Sequence, residues 1–266
     1  MMNSPQPTLF VPHGAPTFAL RPGAAGAAVE QIAKMLPYPR GVVVISPHWD
    51  TPQPIVGTGN QHETIHDFWG FSEELYDIHY PAIGYPEGAE EIAKAIETAG
   101  FSVIRDNQRG LDHGAWVPLR FMYPKGDVPI IPLSLQSHTG PDGAYQLGQA
   151  LAPVTERGFM IVATGSITHN LRDYQYAWQT DGRTPAYVKP FADWIAQRVA
   201  ENDIPALLDY LHQAPSANQA HPTEEHLLPL FVALGAAGPK RRGKRVYAGI
   251  DDFVIAMDAY IFQPVD

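Results

Sequence analysis

The chain has 266 residues, 45% of them hydrophobic and 17% charged, a composition that excludes disorder and fibre and fits a compact enzyme or binding domain. Its formal net charge of −10 repels phosphate backbones and anionic lipid, so neither nucleic acid nor a membrane surface is an expected partner. It has no cysteine, which removes disulfides, thiolate zinc sites, iron–sulfur clusters and cysteine nucleophiles together; any metal must be held by His, Asp or Glu.

Apolar runs such as residues 41–45 and 159–163 fall far short of the roughly 20 residues that a spanning helix needs. The opening Met1-Met2-Asn3-Ser4-Pro5-Gln6-Pro7 has neither a basic start nor a following apolar stretch of a secretion signal, so a cytoplasmic location is expected.

In chain order, residues 8–12, 41–46, 101–105, 128–135 and 159–164 are short, mostly apolar and bounded by Gly, Pro, Ser or Asp, the mark of buried strands. Between them, Val29, Ile32, Ala33 and Leu36, then Ala89, Ile92, Ala93 and Ile96, then Leu147, Ala150, Leu151 and Val154 recur at i, i+3, i+4, i+7, each giving a helix one apolar stripe. Past residue 185 helices dominate, over 186–200, 205–212 and 223–235, the last with Thr223 at the N-cap. Two strands over 245–248 and 253–262 close the chain. This alternation predicts one α/β domain spanning residues 1–266, a three-layer arrangement with a mainly parallel or mixed central sheet flanked by helices. Residues 50–86 show no periodicity and are rich in His, aromatics, Gly and Pro; long ordered loops of this kind are more often functional than idle.

Eleven histidines against no cysteine is the most informative imbalance, although a lone histidine is more often a surface or satisfied core residue than a ligand. Placement decides. His13 follows the first strand in Val11-Pro12-His13-Gly14-Ala15-Pro16, His48 follows the second in Ser46-Pro47-His48-Trp49, and His169 follows the fifth. In an open parallel sheet, ligands bind outside the carboxyl ends of the strands, so these three histidines are expected to converge. His226, in Pro222-Thr223-Glu224-Glu225-His226, falls in the first turn of a predicted helix and is a candidate fourth member. His113 sits in Leu111-Asp112-His113-Gly114-Ala115-Trp116, where glycine permits close backbone approach; a plain loop histidine explains it equally well, and Asp112 reads as a helix cap. His62, His66, His79, His138 and His212 have no comparable context, with His66 and His79 at most lining a pocket in the long loop.

Imidazoles without thiolates suit zinc or non-haem iron alike. No H-E-x-x-H pair, phosphate loop, dinucleotide fingerprint or Gly-x-Ser-x-Gly elbow is present, which leaves those chemistries without support.

These segments, with Ile65-His66-Asp67-Phe68-Trp69-Gly70-Phe71, Leu75-Tyr76-Asp77-Ile78-His79-Tyr80-Pro81 and His169-Asn170-Leu171, resemble in order and over nearly the whole chain the class III extradiol ring-cleavage dioxygenases of the LigB type, in their 4,5-DOPA dioxygenase branch. The resemblance implies a mononuclear non-haem Fe(II) enzyme that opens a catechol ring beside its two hydroxyls with O2, and in which Zn(II) can occupy the site in purified protein. It further implies His13, His48 and His226 as metal ligands, His169 as the acid/base residue or a fourth ligand, and His113 as a histidine facing substrate or oxygen. Another branch supplies a glutamate as third ligand, and Glu224 and Glu225 stand beside His226. The substrate ring is expected to be gripped by Trp49, Phe68 and Trp116, and a single carboxylate held by Arg109 or Arg172. The competing reading is a zinc-dependent hydrolase, or a non-catalytic metal-binding interaction protein, on the same scaffold.

Overall fold

The computed structural model describes residues 5–180 and 182–264. Its strands are β1 (Thr8–Pro12), β2 (Gly41–Asp50), β3 (Ile55–Gly57), β4 (Gln61–His62), β5 (Ala82–Ile83), β6 (Ile104–Asp106), β7 (Ile130–Leu135), β8 (Phe159–Gly165), β9 (Arg241–Tyr247), β10 (Ile250–Asp251), β11 (Ile255–Ala256) and β12 (Ala259–Pro264). Among the helices, α1 (Gly23–Met35), α2 (Glu73–Tyr76), α3 (Pro86–Thr98), α4 (His113–Met122) and α5 (Gly140–Thr155) come from the first half. The second half gives α6 (Leu171–Gln179), α7 (Val188–Glu201), α8 (Ile204–Leu208), α9 (Tyr210–Gln213), α10 (Ala217–Ala220) and α11 (Leu228–Ala237).

Eight strands form one mixed sheet in the order β6-β3-β7-β2-β8-β1-β12-β9. The middle four, β7, β2, β8 and β1, run parallel, with Val43 beside both Ile131 and Ile161 and Phe10 beside Ala163. Their apolar runs are buried on both faces because helices cover both sides, as parallel strands require. One face carries α3, α5, α7 and α11 over Val43, Ile45 and Ile161; the other carries α1 and α4 over Val42, Val44 and Val162. Three layers result, a mixed sheet between two helical faces.

Helix α11 is apolar on every side and buried at every residue, the pattern of a core helix rather than a surface one. It presses against α5 so closely that a side chain at Gly148 would meet the backbone of Val232 and Ala236.

Four details differ from the sequence reading. The third strand is shorter than residues 101–105 and lies at the sheet edge, held by Arg105 to Glu90 and Glu97 of α3. Residues 253–262 do not form one strand: Asp252 and Phe253 have positive φ, which turns the chain into a separate β10–β11 ladder before β12. The 205–212 helix breaks at Asp209 into α8 and α9. The 223–235 helix starts only at Leu228; Thr223 does not cap it, its hydroxyl going instead to Glu225 Oε1 at 3.0 Å.

Candidate metal centre

β1, β8 and β2 are neighbours in the sheet and run parallel, so their carboxyl ends, and the residues just beyond them, share one edge. There His13 follows β1, His48 sits near the end of β2, and His169 follows β8. Two further histidines arrive from elsewhere. His113 is the first residue of α4, whose N-cap Asp112 accepts from Ala115 N at 3.2 Å. His226 lies in the turn before α11, fixed by Ser166 N donating to its carbonyl at 3.0 Å. The His13 ring lies 5.2 Å from His48, 5.5 Å from His113 and 5.4 Å from His226, centroid to centroid. His169 stacks on His226 at 3.5 Å with an interplanar angle of 7°.

Two groups of ligand atoms emerge, each within 4.8 Å of one another: His13, His48 and His113, and His169, Glu225 and His226. The structure therefore brings together all five histidines singled out from the sequence, and both His113 and His226 stand beside the His13–His48 pair.

Hydrogen bonds decide which nitrogens face inward. Asp67, from the long loop, accepts from His113 N at 2.8 Å and from His113 Nδ1 at 3.0 Å, and its Oδ2 lies 3.5 Å from His48 Nδ1. Glu225 Oε1 lies 3.1 Å from His226 Nδ1. Three imidazoles thus turn Nδ1 toward a carboxylate, by hydrogen bond in His113 and His226 and across 3.5 Å in His48, and turn Nε2 away from it, the arrangement that fixes metal-ligating histidines. His48 Nε2 and His13 Nε2 are 3.3 Å apart, and His13 Nδ1 is buried with no partner among the described residues. Two nitrogens at about 2.0–2.1 Å from one tetrahedral ion would be separated by roughly 3.3–3.4 Å, so the donor set fits a metal ion.

Electrostatics favours the same state. Burial, reinforced by neighbouring imidazoles, holds His13 and His226 well below the usual histidine range, His48 at about 3 and His169 at about 4. All four are neutral near pH 7, as ligation and base catalysis both require. Burial alone would raise the Asp67 carboxyl, but hydrogen bonds and charge from His113 outweigh it and bring it to about 2.

One glycine makes the approach of α4 possible. A Cβ at Gly114 would lie 2.8 Å from His48 Cδ2 and would also strike Ser46 Oγ. Beneath it, Ser46 Oγ donates to Asp112 Oδ1 at 2.6 Å, and Arg109 Nη2 lies 3.3 Å from both the His48 carbonyl and Asp112 Oδ2. Burial raises the Asp112 carboxyl while Ser46 and the charges of His113 and Arg109 work the other way.

The histidines open into a cavity of about 550 Å³ walled by Phe68, Trp69, Phe71, Leu171 and Tyr174. Two of the three aromatics expected to grip the ring do not reach it. Trp116 is fully buried on α4, where its indole N–H donates to Ile65 O at 3.1 Å and braces the loop from behind. Trp49 is buried on the far side of β2 under the Arg109 guanidinium, because alternation along the strand sends it to the opposite face from His48. The long loop supplies Trp69 (85% exposed, at the rim) and Phe71 instead, two residues of the 65–71 motif that sequence reasoning leaves without a role. Arg109 is likewise occupied elsewhere, whereas Arg172 lines a second cavity of about 500 Å³ that shares His169, Leu171 and Glu225 with the first. His66 is tied to Ile78 O at 3.0 Å, and His79 lines a separate cavity. Asp67 belongs to the same motif, but nothing local in the sequence says that it meets a residue 46 positions away.

The family model described as the catalytic LigB subunit of aromatic ring-opening dioxygenase matches residues 23–254; His13 lies outside that span, so its place in the site rests on geometry. A 4,5-DOPA dioxygenase extradiol of Beta vulgaris is 37% identical over 259 residues, 96% of each chain. Another so named, from Escherichia coli (strain K12), is 35% identical over 244 residues, 89% of this chain and 87% of that one. The crystal structure of an uncharacterized protein from Escherichia coli K12 superposes with a TM-score of 0.80 at 28% identity, covering 97% of this chain and 100% of that chain. A mixed sheet whose central parallel strands deliver paired histidines to one cavity, matched over most of its length by these relatives, belongs to the LigB family: the chain is a class III extradiol, aromatic ring-opening dioxygenase.

Proposed function

We propose that the whole chain is one catalytic domain that cleaves a DOPA-like catechol with O2, using Fe(II) held by His13, His48 and His226, with His169 as acid/base and His113 facing substrate or oxygen. The observation that carries this reading is the convergence of neutral, carboxylate-backed imidazoles on one cavity at the ends of three adjacent parallel strands. The choice of His226 over His113 as third ligand follows the family resemblance. When bound, the metal supplies a Lewis-acidic seat for the two ring oxygens and for O2.

The chain's own residues do the rest. Phe68, Leu171 and Tyr174 receive the ring and exclude water from its faces. His169, neutral and without a hydrogen bond to its ring among the described residues, has a free lone pair for a catechol proton, which it holds at that ring nitrogen and can return to the product. Among the described residues no lysine or arginine lines the main cavity, so a simple anion is poorly matched there. In the adjoining cavity Arg172 stands with Asp173 and Glu225, a mixture of charge suited to a zwitterionic amino-acid tail, its carboxylate on Arg172. A cytoplasmic location belongs to the same reading, supported by a cysteine-free chain in which no described helix is long and apolar enough to cross a membrane.

Oxygen uptake after anaerobic loading tests this. With Fe(II), a catechol should drive O2 consumption and a yellow ring-opened product; activity on esters or amides with Zn(II), and none on catechols with Fe(II), would reject it. DOPA should outrank protocatechuate in specificity constant, and Arg172→Gln should narrow the lead of DOPA over unsubstituted catechol.

A further inference from the structure

We propose that Asp67 is a positioning residue that sets the tautomer of two site histidines at once, fixing the proton of both His48 and His113 on Nδ1. The proposal rests on the metal reading in taking His48 as a ligand; its His113 half stands without it.

Both oxygens of Asp67 reach His113, and one also reaches His48. Oδ1 accepts from the backbone N–H of His113 at 2.8 Å, and this closes the first turn of α4 as any capping carboxylate would. Both oxygens lie 3.0 Å from His113 Nδ1, and Oδ2 lies 3.5 Å from His48 Nδ1. An ionised carboxylate only accepts, so each Nδ1 that faces it must carry the proton. The proton is thereby kept off Nε2, and His48 Nε2 is the atom that faces His13 Nε2 at 3.3 Å. A proton there would occupy the lone pair a metal needs. The His48 and His113 rings are 4.1 Å apart, so one carboxylate between them orients both. Its position is itself enforced: Trp116 ties Ile65 of the same loop to α4, and Gly114 lets α4 close on His48.

Asp67→Asn separates this role from simple capping. The amide oxygen keeps the bonds to His113 N and Nδ1, while the amide nitrogen replaces Oδ2 and presents hydrogens to His48 Nδ1. His48 must then move its proton to Nε2, whereas His113 keeps its own on Nδ1. The test is 1H–15N correlation spectroscopy of 15N-histidine-labelled protein, metal-free and with Zn(II). In the unaltered chain His48 and His113 should show protonated Nδ1; in Asp67→Asn His48 should change to protonated Nε2 while His113 stays protonated on Nδ1. Zn(II) affinity should fall roughly 10- to 100-fold, and the Fe(II) enzyme should lose kcat about 100-fold or more with KM within about threefold. Asp67→Glu should restore the His48 Nδ1 tautomer and part of kcat. An unchanged His48 tautomer in Asp67→Asn overturns the proposal, as does an Nε2-protonated His113 in the unaltered protein. If His48→Ala binds Zn(II) as tightly as the unaltered chain, the metal reading fails instead, and the His113 tautomer in metal-free protein still decides the role of Asp67.

Discussion

The two halves of the histidine cluster are built differently. On the β2 side, His48 and His113 share Asp67, and beneath them Ser46, Asp112 and Arg109 form a buried network that pins the strand end to the start of α4. On the β8 side, His169 and His226 are stacked at 3.5 Å, among the described residues only His226 of the two is tied to a carboxylate, and His169 opens onto both cavities. A rigid half suits ligands that must not move; an imidazole with no hydrogen-bond tether suits proton transfer.

The most damaging substitution should be His13→Ala, which removes the member common to both halves. It should abolish metal binding and reduce activity to background, whereas His169→Ala should cost roughly 10²- to 10⁴-fold in turnover and retain metal. Metal content by elemental analysis, read beside O2 uptake, checks this. Equal metal loss in the two variants would make His169 a full ligand and erase the distinction between the halves.

Acid should loosen both halves together. His48 at about 3, His169 at about 4 and His221 at about 4, each lowered chiefly by burial, lie below an unfolded value of about 6.5. Between those values the unfolded chain binds more protons, so their stabilisation is complete above about pH 6.5 and is lost as pH falls through about 4 to 3. Asp258, raised to about 6 by burial against Arg245, works with the opposite sign: its contribution is full below about 4 and lost above about 6. Asp112, Asp251 and Asp252 are raised as well, but these four carboxyls are outnumbered by six lowered histidines, His13, His48, His62, His169, His221 and His226, so the Tm of metal-free protein should fall from pH 7 to 4.5; a constant Tm would mean that the histidines are not buried neutral.

Gly114→Ala attacks the rigid half alone. The added methyl meets His48 and Ser46, and should destabilise the fold by about 1–3 kcal/mol and weaken metal binding, measured by denaturation and Zn(II) titration. Native stability and affinity would show that α4 need not sit so close. The smallest effect on activity is expected of Trp116→Phe, which leaves Ile65 O without its indole donor at a cost of roughly 1–3 kcal/mol in stability. KM should barely change, since Trp116 does not touch the cavity, while Phe68→Ala should raise it.

Much of this is legible in the sequence. Strand β1 has the bounds its apolar run suggests, and His13, His48 and His169 converge because strand ends in a parallel sheet share an edge whatever the loops do. The illegible parts depend on contacts distant in sequence. Trp49 looks like a ring-gripping aromatic until strand alternation sends it away from His48. Helix α4 hides behind Gly114 and Pro118, residues that weaken helix propensity but are tolerated in a helix buried against β2. Thr223 after a proline imitates an N-cap, yet the chain spends residues 222–227 in turns that aim His226 at the site. Asp67 acquires a role only because a loop folds across to α4.

The most direct measurement is a crystal structure of the metal-loaded protein with anomalous scattering at the metal edge. One ion is expected at about 2.0–2.3 Å from nitrogens of His13, His48 and His226, with Asp67 on His113 Nδ1. An ion more than a bond length from His13 or His48, or one held by His169 and Glu225 alone, would contradict the assignment.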